Sequence, residues 1–557
     1  MGDLGKITMG EVIDRTSFNY PDHEALIYPD RGLRYSYKEL REVCNQFAKG
    51  LLKLGVKKDE HIAIWATNVP EWVITQFSSA KIGAVLVAVN FGFELLELEY
   101  QLKQSDATTL IMIEGANNSH FRSIINELCP ELSECKPGEL VSERLPLLKN
   151  VIMIGNNKYP GMFTWDDVIK LGEDVSDKAL VARSATLDPD DAVVMVFTSG
   201  TTSRPKRVML NHHAIIENAR AQAQCLNLSP SDRMCIAVPF FHCKGAVSSN
   251  LCCVVTGAVM VPVEIFDAAQ VLKTVEKEHC TVLHGVPTMF ILELEEMEKG
   301  KYDVSSLRTG IVAGDGCSAD VIKKLVTVMN MREIITAYGQ SEASPCITST
   351  RTSDPIEIRA STVGQALPGV EVKIVDPKTG EEVPRGVPGE IYARGYNITK
   401  GYYKMPEATA SKIDSEGWVH TRDLGVMDEN GYCKIICRLK DLIIHGGENI
   451  YPQEVEEFLR IHPLIKDIQI VGVPNEKFGE DVMAFIRVQE GQVLTLKSVQ
   501  NFCKGQIASW KIPKYVVIVK DYPCTSTGKV HKLKLREMAR ALLDSQAAVK
   551  PGHKIKY

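Results

Sequence analysis

The stretch FTSGTTSRPKRVML, residues 197 to 210, gathers small hydroxyl side chains, a glycine and a lysine directly after an apolar run. Small side chains let backbone N–H groups approach a ligand closely, and Lys206 adds a compact positive charge. Phosphate oxygens suit such a loop, although a solvated turn is the alternative interpretation. The predicted ligand contacts are Thr198, Ser199, Gly200, Thr201, Thr202 and Lys206.

Two familiar phosphate-binding patterns are absent from this loop. It lacks the Walker A spacing G-x-x-x-x-G-K-[ST], and no G-x-G-x-x-G follows the first predicted strand. The loop follows the apolar run DAVVMVF, which predicts a buried strand, so it should emerge at the carboxyl end of a sheet. Open α/β sheets bind their ligands at that edge.

Four further segments decide between the two interpretations: AYGQSEAS (337 to 344), GWVHTRDLG (417 to 425), RLKDLIIHGGENIYPQEVE (438 to 456) and TSTGKVHK (525 to 532). Together with TSGTT-x-x-PK they resemble, in order, the motifs of the AMP-forming adenylating superfamily. That superfamily includes acyl-CoA synthetases, peptide-synthetase adenylation domains and beetle luciferases. The segments FFHC, GVPTMF and GYNITKGYYKMPEAT are more similar to fatty- and medium-chain acyl-CoA ligases.

The resemblance implies a reaction in two halves that uses ATP, Mg²⁺ and coenzyme A. A carboxylate attacks the α-phosphate of ATP to give acyl-AMP and pyrophosphate, and the thiol of coenzyme A then displaces AMP. Because two anions meet in the first half, positive charge is needed where they meet. The resemblance implies that Lys529 bridges carboxylate and α-phosphate, that Glu342 holds Mg²⁺, and that the loop with Lys206 holds the outgoing phosphates.

The resemblance also implies roles around the nucleotide. Asp423 would accept hydrogen bonds from the ribose, Arg438 would fix the nucleotide, and Tyr338 would lie against the adenine. The nucleotide-binding residues implied in this way are Tyr338, Gly339, Ser341, Asp423 and Arg438.

Further implied roles concern movement and the other two substrates. Lys440 would be the hinge of a mobile C-terminal domain, and Gly446 and Gly447 would line the tunnel for the pantetheine arm of coenzyme A, where missing side chains leave room. His242 would gate the acyl pocket, although a core or surface histidine is the alternative.

The chain departs from the family pattern at four positions where glycine is usual: Ser203, Arg207, Arg422 and Cys437. Ser203 keeps a small donor. Arg207 would either add a phosphate contact or, if its backbone needs a positive φ, cost about 1 to 2 kcal/mol. The guanidinium of Arg422 could pair with Asp423 and compete with ribose. We expect such changes to affect nucleotide affinity and turnover and not the fold.

Two charged residues fall where the acyl group should lie. The acyl-pocket residues implied by the resemblance are Lys244, Gly314, Asp315 and Gly316. If Lys244 and Asp315 both face the pocket, they should pair with each other or with a polar substrate tail. The alternative is that one or both point to solvent.

The elements needed to position these residues are those of an α/β protein. Short apolar runs alternate with helical stretches and predict two sheets of the parallel kind. Strand pairs punctuated by Gly and Pro after about residue 350 predict hairpins or a small barrel. We expect a large adenylating domain at 1–439, made of two α/β subdomains and a small β-barrel-like one, and a small, mobile α+β domain at 440–557.

Composition excludes several other classes. A net charge of −6 argues against a nucleic-acid partner, and no apolar run is long enough to span a membrane. The 15 cysteines are scattered and predict reduced, buried thiols in a cytoplasmic protein. A homodimer is compatible with the sequence.

The expected function is an ATP-dependent ligase of a fatty or related carboxylic acid with coenzyme A. An enzyme that loads a carrier protein, and a degenerate homologue that binds nucleotide or acyl-CoA without turnover, are the alternatives.

Overall fold

The protein is described by a computed structural model that covers residues 5–116, 119–198, 205–489, 491–525 and 529–544. It divides into two compact units. The first comprises Met1–Glu371 with Ala393–Val419, and the second comprises Val372–Tyr392 with His420–Tyr557. The domain border expected at Lys440 is the point about which the C-terminal domain would turn between the two half-reactions, and it stays a prediction.

The strands are numbered along the chain. They are β1 Glu24–Tyr28, β2 Leu33–Ser36, β3 His61–Trp65, β4 Val85–Ala88, β5 Ala107–Met112, β6 Asn150–Met153, β7 Phe163–Thr164, β8 Ala192–Phe197, β9 Arg207–Asn211, β10 Arg233–Ile236, β11 Val259–Pro262, β12 Val282–Leu283, β13 Thr309–Ala313, β14 Glu333–Gly339, β15 Cys346–Ser349, β16 Gln365–Ala366, β17 Val370–Val375, β18 Gly389–Gly395, β19 Val419–Met427, β20 Cys433–Arg438, β21 Ile443–His445, β22 Glu448–Ile450, β23 Ile465–Asn475, β24 Gly479–Val488 and β25 Tyr515–Ile518.

The helices are numbered in the same way. They are α1 Met9–Asn19, α2 Tyr37–Lys53, α3 Pro70–Ile82, α4 Leu95–Gln104, α5 Phe121–Leu128, α6 Trp165–Leu171, α7 Asp177–Ser184, α8 His212–Cys225, α9 Cys243–Gly245, α10 Cys252–Thr256, α11 Ala268–Glu278, α12 Pro287–Lys299, α13 Ala319–Thr327, α14 Ile356–Ser361, α15 Pro406–Ala410, α16 Pro452–Leu459, α17 Leu496–Cys503 and α18 Lys532–Asp544.

Two large sheets form the framework of the first unit, and this confirms the α/β prediction. One has seven strands in the order β7-β6-β5-β3-β4-β8-β9, and the other has nine in the order β16-β15-β14-β13-β12-β10-β11-β1-β2. Their central strands are parallel and buried, for example β3 and β4. This explains why these strands are continuous apolar runs in the sequence.

Helix α2 shows how local sequence sets an element. Ser36 caps its first turn and forms a capping box with Glu39, and Leu40, Phe47 and Leu51 on its apolar face are fully buried. The helix is therefore fixed at its start by polar caps and along its length by packing.

The second unit contains the antiparallel strands β19 and β20, within a four-stranded sheet ordered β17-β18-β19-β20. This confirms the predicted hairpin region, with β17 and β20 at the two ends of the row. A five-stranded sheet of β21 to β25 carries the C-terminal α+β part, in which β23 and β24 form a long antiparallel pair. Helices α16 and α17 belong to the same part of the chain.

No helix in the described part of the chain is both long enough and apolar enough to cross a membrane.

Candidate active site

One edge of the nine-stranded sheet carries many of the predicted site residues. His242 and Lys244 follow β10, Gly314 and Asp315 follow β13, and Glu342 follows β14. Because β10 and β12 to β14 run parallel, their carboxyl ends meet at the same edge. Ligand sites in open α/β sheets form at such an edge.

The predicted phosphate loop closes between β8 and β9, which pair antiparallel. The N–H of Thr198 donates to the carbonyl of Lys206 at 2.9 Å, and the N–H of Lys206 donates to Oγ1 of Thr198 at 3.1 Å. These two bonds hold the ends of the loop together. The remaining predicted contacts, Ser199, Gly200, Thr201 and Thr202, and the departure at Ser203, lie outside the described residues.

Tyr402 connects two residues that the sequence predicts separately. Its hydroxyl donates to Oε1 of Glu342 at 2.7 Å, and Nζ of Lys206 lies 4.9 Å from the centre of its ring. Burial and the Glu342 carboxylate raise the pKa of Tyr402 well above its ordinary value, so the phenol keeps the proton that it donates. A buried carboxylate, a phenol and an ammonium group therefore form one cluster beside the loop.

Sequence reasoning missed Tyr402, although the segment GYNITKGYYKMPEAT that contains it bears on the family resemblance. The chain from Gly401 to Tyr403 runs beside β9. The N–H of Met209 donates to the carbonyl of Gly401 at 3.1 Å, and the N–H of Tyr403 donates to the carbonyl of Arg207 at 2.8 Å. These backbone bonds hold the Tyr402 ring beneath the Lys206 ammonium group, and the sequence signal was a pair of adjacent tyrosines.

Glu342 lies in a short 3₁₀ turn, Ser341–Ala343, directly after β14. Its side chain is buried, and its carbonyl accepts a hydrogen bond from the N–H of Thr399 at 2.9 Å. Gly339 precedes the turn, where an added Cβ would lie 1.9 Å from the carbonyl oxygen of Pro345, so glycine is required by close backbone approach. Tyr338 lies in β14, opposite Thr348.

His242 caps the short helix α9, because its Nδ1 accepts the N–H of Lys244 at 3.3 Å. The next residue, Cys243, is buried, and this burial raises its pKa to about 12, while a hydrogen bond with Ser341 opposes the rise. The segment with His242 therefore lies beside the turn that carries Glu342. The gating role of His242 stays a prediction.

Lys244 and Asp315 are held differently from each other. The Lys244 side chain is buried, and its Nζ donates to the carbonyls of Gly285 and, at 3.2 Å, Ala313. Asp315 and its neighbours Gly314 and Gly316 are exposed, and the Asp315 carboxylate accepts the N–H of Gly316 at 2.9 Å. Asp315 is therefore exposed, and Lys244 donates to two backbone carbonyls. Their place in the acyl pocket stays a prediction.

Arg207 does not have the strained backbone that one hypothesis allowed. It is the first residue of β9, paired with Phe197 in an extended strand, and its guanidinium donates to Gln104. The left-handed backbone occurs instead at Arg422, with φ of +65°. The N–H of Arg422 donates to Glu390 at 2.9 Å, and its side chain is exposed.

In the second unit, Asp423 and Arg438 face each other across β19 and β20. The Arg438 Nε lies 3.5 Å from Oδ1 of Asp423, and the Asp423 residue is buried. The Asp423 carboxylate therefore has a cation beside it in Arg438. Cys437 lies in the same strand, and burial raises the pKa of its thiol to about 12.

The predicted hinge and tunnel residues lie close together in the sequence of this unit. Lys440 is in the 3₁₀ turn Leu439–Asp441, and burial, followed by the charge of Arg438, lowers its pKa. Gly446 and Gly447 form the turn between β21 and β22 with φ of +60° and +90°. Two successive positive φ values are those of a type I′ hairpin turn, which explains the pair of glycines.

Lys529 lies at the end of a second short loop, which begins at Thr525. The N–H of Thr525 donates to the Lys529 carbonyl at 2.7 Å, and the N–H of Lys529 donates to Oγ1 of Thr525 at 3.2 Å. Lys529 is thereby held at the end of a short loop whose other residues, 526 to 528, lie outside the described residues.

Comparison with known families identifies the chain. The profile described as AMP-binding enzyme matches residues 13–403, and the profile described as AMP-binding enzyme C-terminal domain matches residues 454–529. The protein belongs to the AMP-binding enzyme family. The family and the fold expected from the sequence are thereby confirmed.

Relatives of this AMP-binding enzyme share nearly its whole length. YngI of Bacillus subtilis (strain 168), assigned as an acyl-CoA synthetase, is 52% identical over 96% of this chain and 98% of its own. The mitochondrial medium-chain acyl-CoA ligase ACSF2 of Danio rerio is 39% identical over 96% and 88%. The solved structure of ATP-bound MatB from Rhodopseudomonas palustris has a TM-score of 0.82 at 27% identity and covers 96% and 100%.

Proposed function

We propose that this AMP-binding enzyme is an ATP-dependent acyl-CoA ligase. It activates a fatty or related carboxylic acid as acyl-AMP, with release of pyrophosphate, and transfers the acyl group to coenzyme A, with release of AMP. The observation that carries the proposal is the cluster of Lys206, Tyr402 and Glu342 at the base of the loop from Thr198 to Lys206.

In the first half-reaction, the loop holds the β- and γ-phosphates. Lys206 supplies positive charge, and its position over the Tyr402 ring limits the rotamers that the lysine samples before ATP binds. Less side-chain freedom is then lost on binding. Lys529, at the end of its own short loop, is the group that we assign to the meeting point of the carboxylate and the α-phosphate.

The residues around Glu342 fit a magnesium ion. Glu342 offers a buried carboxylate oxygen, the ligand type that Mg²⁺ prefers. Mg²⁺ is usually held by one or two carboxylates together with substrate phosphates, so one carboxylate from the protein is enough for this site. When bound, the ion supplies neutralisation of phosphate charge. Tyr402 fixes the orientation of the carboxylate that would hold it.

In the second unit, we assign the ribose hydroxyls to Asp423 and the fixing of the nucleotide to Arg438. In the first unit, we assign the adenine to Tyr338. The ion pair between Asp423 and Arg438 supports this assignment, because it holds a hydrogen-bond acceptor and a cation beside each other on β19 and β20. Lys440 is the proposed hinge, and the turn at Gly446 and Gly447 the proposed wall of the pantetheine tunnel.

We assign the acyl pocket to the edge of the nine-stranded sheet. His242 is the proposed gate, and the exposed turn of Gly314, Asp315 and Gly316 is the proposed border. Lys244 joins the chain after β12 to the end of β13 through the Gly285 and Ala313 carbonyls. The names of the ACSF2 relatives support medium-chain acids as the first candidates.

A panel of carboxylic acids tests this function. Each acid is incubated with ATP, Mg²⁺ and either coenzyme A or a holo-carrier protein, and AMP and the thioester are measured. AMP and acyl-CoA formed in equal amounts support the proposal. Thioester formed only on the carrier protein would favour carrier loading, and no AMP from any acid would favour a binding protein without turnover.

A cytoplasmic location and a homodimer are also proposals. Cell fractionation and light scattering of the purified protein test them.

A further inference from the structure

Arg207 is a buried cation at a position where related loops usually carry glycine. The residue is 7% exposed, and its Nη1 donates to both oxygen atoms of Gln104, at 3.1 Å to the backbone carbonyl and at 2.7 Å to Oε1 of the side chain. The guanidinium is therefore committed to another element of the first unit.

Gln104 is the last residue of α4. The final carbonyls of a helix lack partners within the helix and carry the negative end of its dipole. A guanidinium placed there satisfies one of these carbonyls and is itself stabilised by the dipole. This contact attaches the first residue of β9 to the end of α4.

The attachment lies one residue from Lys206. The carbonyl of Arg207 accepts the N–H of Tyr403 at 2.8 Å, and the side chain of the preceding residue in that segment, Tyr402, lies under Lys206. Arg207 therefore holds, through its side chain and its backbone, the strand that follows the loop and the segment that carries Tyr402.

We propose that Arg207 is a positioning residue for the adenylation half-reaction. By attaching β9 to α4, it keeps Lys206 in the place from which the lysine contacts the β- and γ-phosphates of ATP, without touching ATP itself. This inference rests on the proposed function of the loop from Thr198 to Lys206.

The two half-reactions separate this role from a general effect on folding. Adenylation, measured as ATP–pyrophosphate exchange, needs the β- and γ-phosphates, whereas thioester formation from supplied acyl-AMP does not. Arg207→Gly loses two hydrogen bonds from a charged donor, so the KM for ATP should rise about tenfold, with a smaller change in kcat. Thioester formation from acyl-AMP should stay within about twofold of the wild-type rate.

Two milder variants act on the same contact. Gln104→Ala removes one of the two acceptors and should raise the KM for ATP about threefold, and it should add nothing to Arg207→Gly. Arg207→Lys should fall between the wild type and Arg207→Gly. If Arg207→Gly does not fold, Gln104→Ala decides the question, because it leaves the cation in place.

A matched control is Arg233→Lys. Arg233 also donates to a backbone carbonyl, that of Glu278 at 2.6 Å, but it lies at the amino end of β10, away from the edge that carries the site. This variant should lose thermal stability and keep the wild-type KM for ATP.

Several results would overturn the proposal. A direct phosphate contact would leave Gln104→Ala silent and make Arg207→Lys nearly wild-type. Equal loss in both half-reactions would show a general structural role, and a lower KM in Arg207→Gly would show that the arginine hinders ATP. A wild-type protein without any exchange activity would instead contradict the proposed function.

Discussion

Replacing Tyr402 with phenylalanine removes one atom from the candidate active site. The lost hydroxyl donates to the buried Glu342 at 2.7 Å, while the ring that lies 4.9 Å from Nζ of Lys206 remains. The change therefore separates the hydrogen bond to the carboxylate from the contact with the lysine.

The size of the effect follows from the charge of the acceptor. A hydrogen bond to a charged group contributes about 1.5 to 3 kcal/mol, which corresponds to a factor of about 10 to 100 in rate if it is needed in the transition state. Tyr402→Leu also loses the ring, and a cation–π contact of about 0.5 to 2 kcal/mol adds a further factor of about 2 to 30.

The assay is ATP–pyrophosphate exchange as a function of Mg²⁺ concentration, with thioester formation from acyl-AMP measured in parallel. Because Tyr402 orients the carboxylate proposed to hold Mg²⁺, Tyr402→Phe should need more Mg²⁺ for half-maximal exchange. Thioester formation should be nearly unchanged.

Tyr37→Phe is the control, since the hydroxyl of Tyr37 is also buried and donates at 2.6 Å to the carbonyl of Ala258. It should lower stability alone. Wild-type exchange by Tyr402→Phe at every Mg²⁺ concentration would refute the reasoning, as would an equal loss in both half-reactions.

Two further predictions concern stability. Glu293 is fully buried with both carboxylate oxygens unpartnered, and burial raises its pKa well above its ordinary value. The folded state therefore keeps a proton that the unfolded state releases, so stability is lost as pH rises above the ordinary carboxyl pKa. Glu293→Met should reduce this loss of stability between pH 5 and 8 in thermal melts. Parallel pH profiles for the variant and the wild type would contradict the prediction. At the positive φ of Arg422, Arg422→Gly should be more stable than Arg422→Ala by about 0.5 to 1 kcal/mol in denaturant unfolding, whereas the reverse order would show no strain there.

Much of the fold could be predicted because its buried strands are marked by local apolar runs, such as those of β3 and β8. Two elements could not be foreseen in this way. β9 follows directly on the loop as Arg207–Asn211, a short and partly polar strand at the edge of its sheet. β1, near the amino end, pairs in parallel with β11, more than two hundred residues later, and no local pattern records such a partner.

Some residues of the candidate site could likewise be predicted from the sequence, and others could not. Motif order could predict Lys206 and Glu342, because their residue types carry the chemistry. Tyr402 could not be predicted as their link, since its contacts depend on how the segment after β18 returns to β9. The contact between the side chain of Arg207 and Gln104 could not be predicted from the sequence either, because Gln104 is at the end of a helix about a hundred residues earlier.

Lys529→Ala tests the central claim most directly. The variant and the wild type are compared in two assays, acyl-AMP formation from acid and ATP, and acyl-CoA formation from supplied acyl-AMP and coenzyme A. Because we assign Lys529 to the meeting of two anions in the first half alone, the first rate should fall by at least about a hundredfold and the second by little. An equal loss of both rates, or no loss of either, would contradict the account.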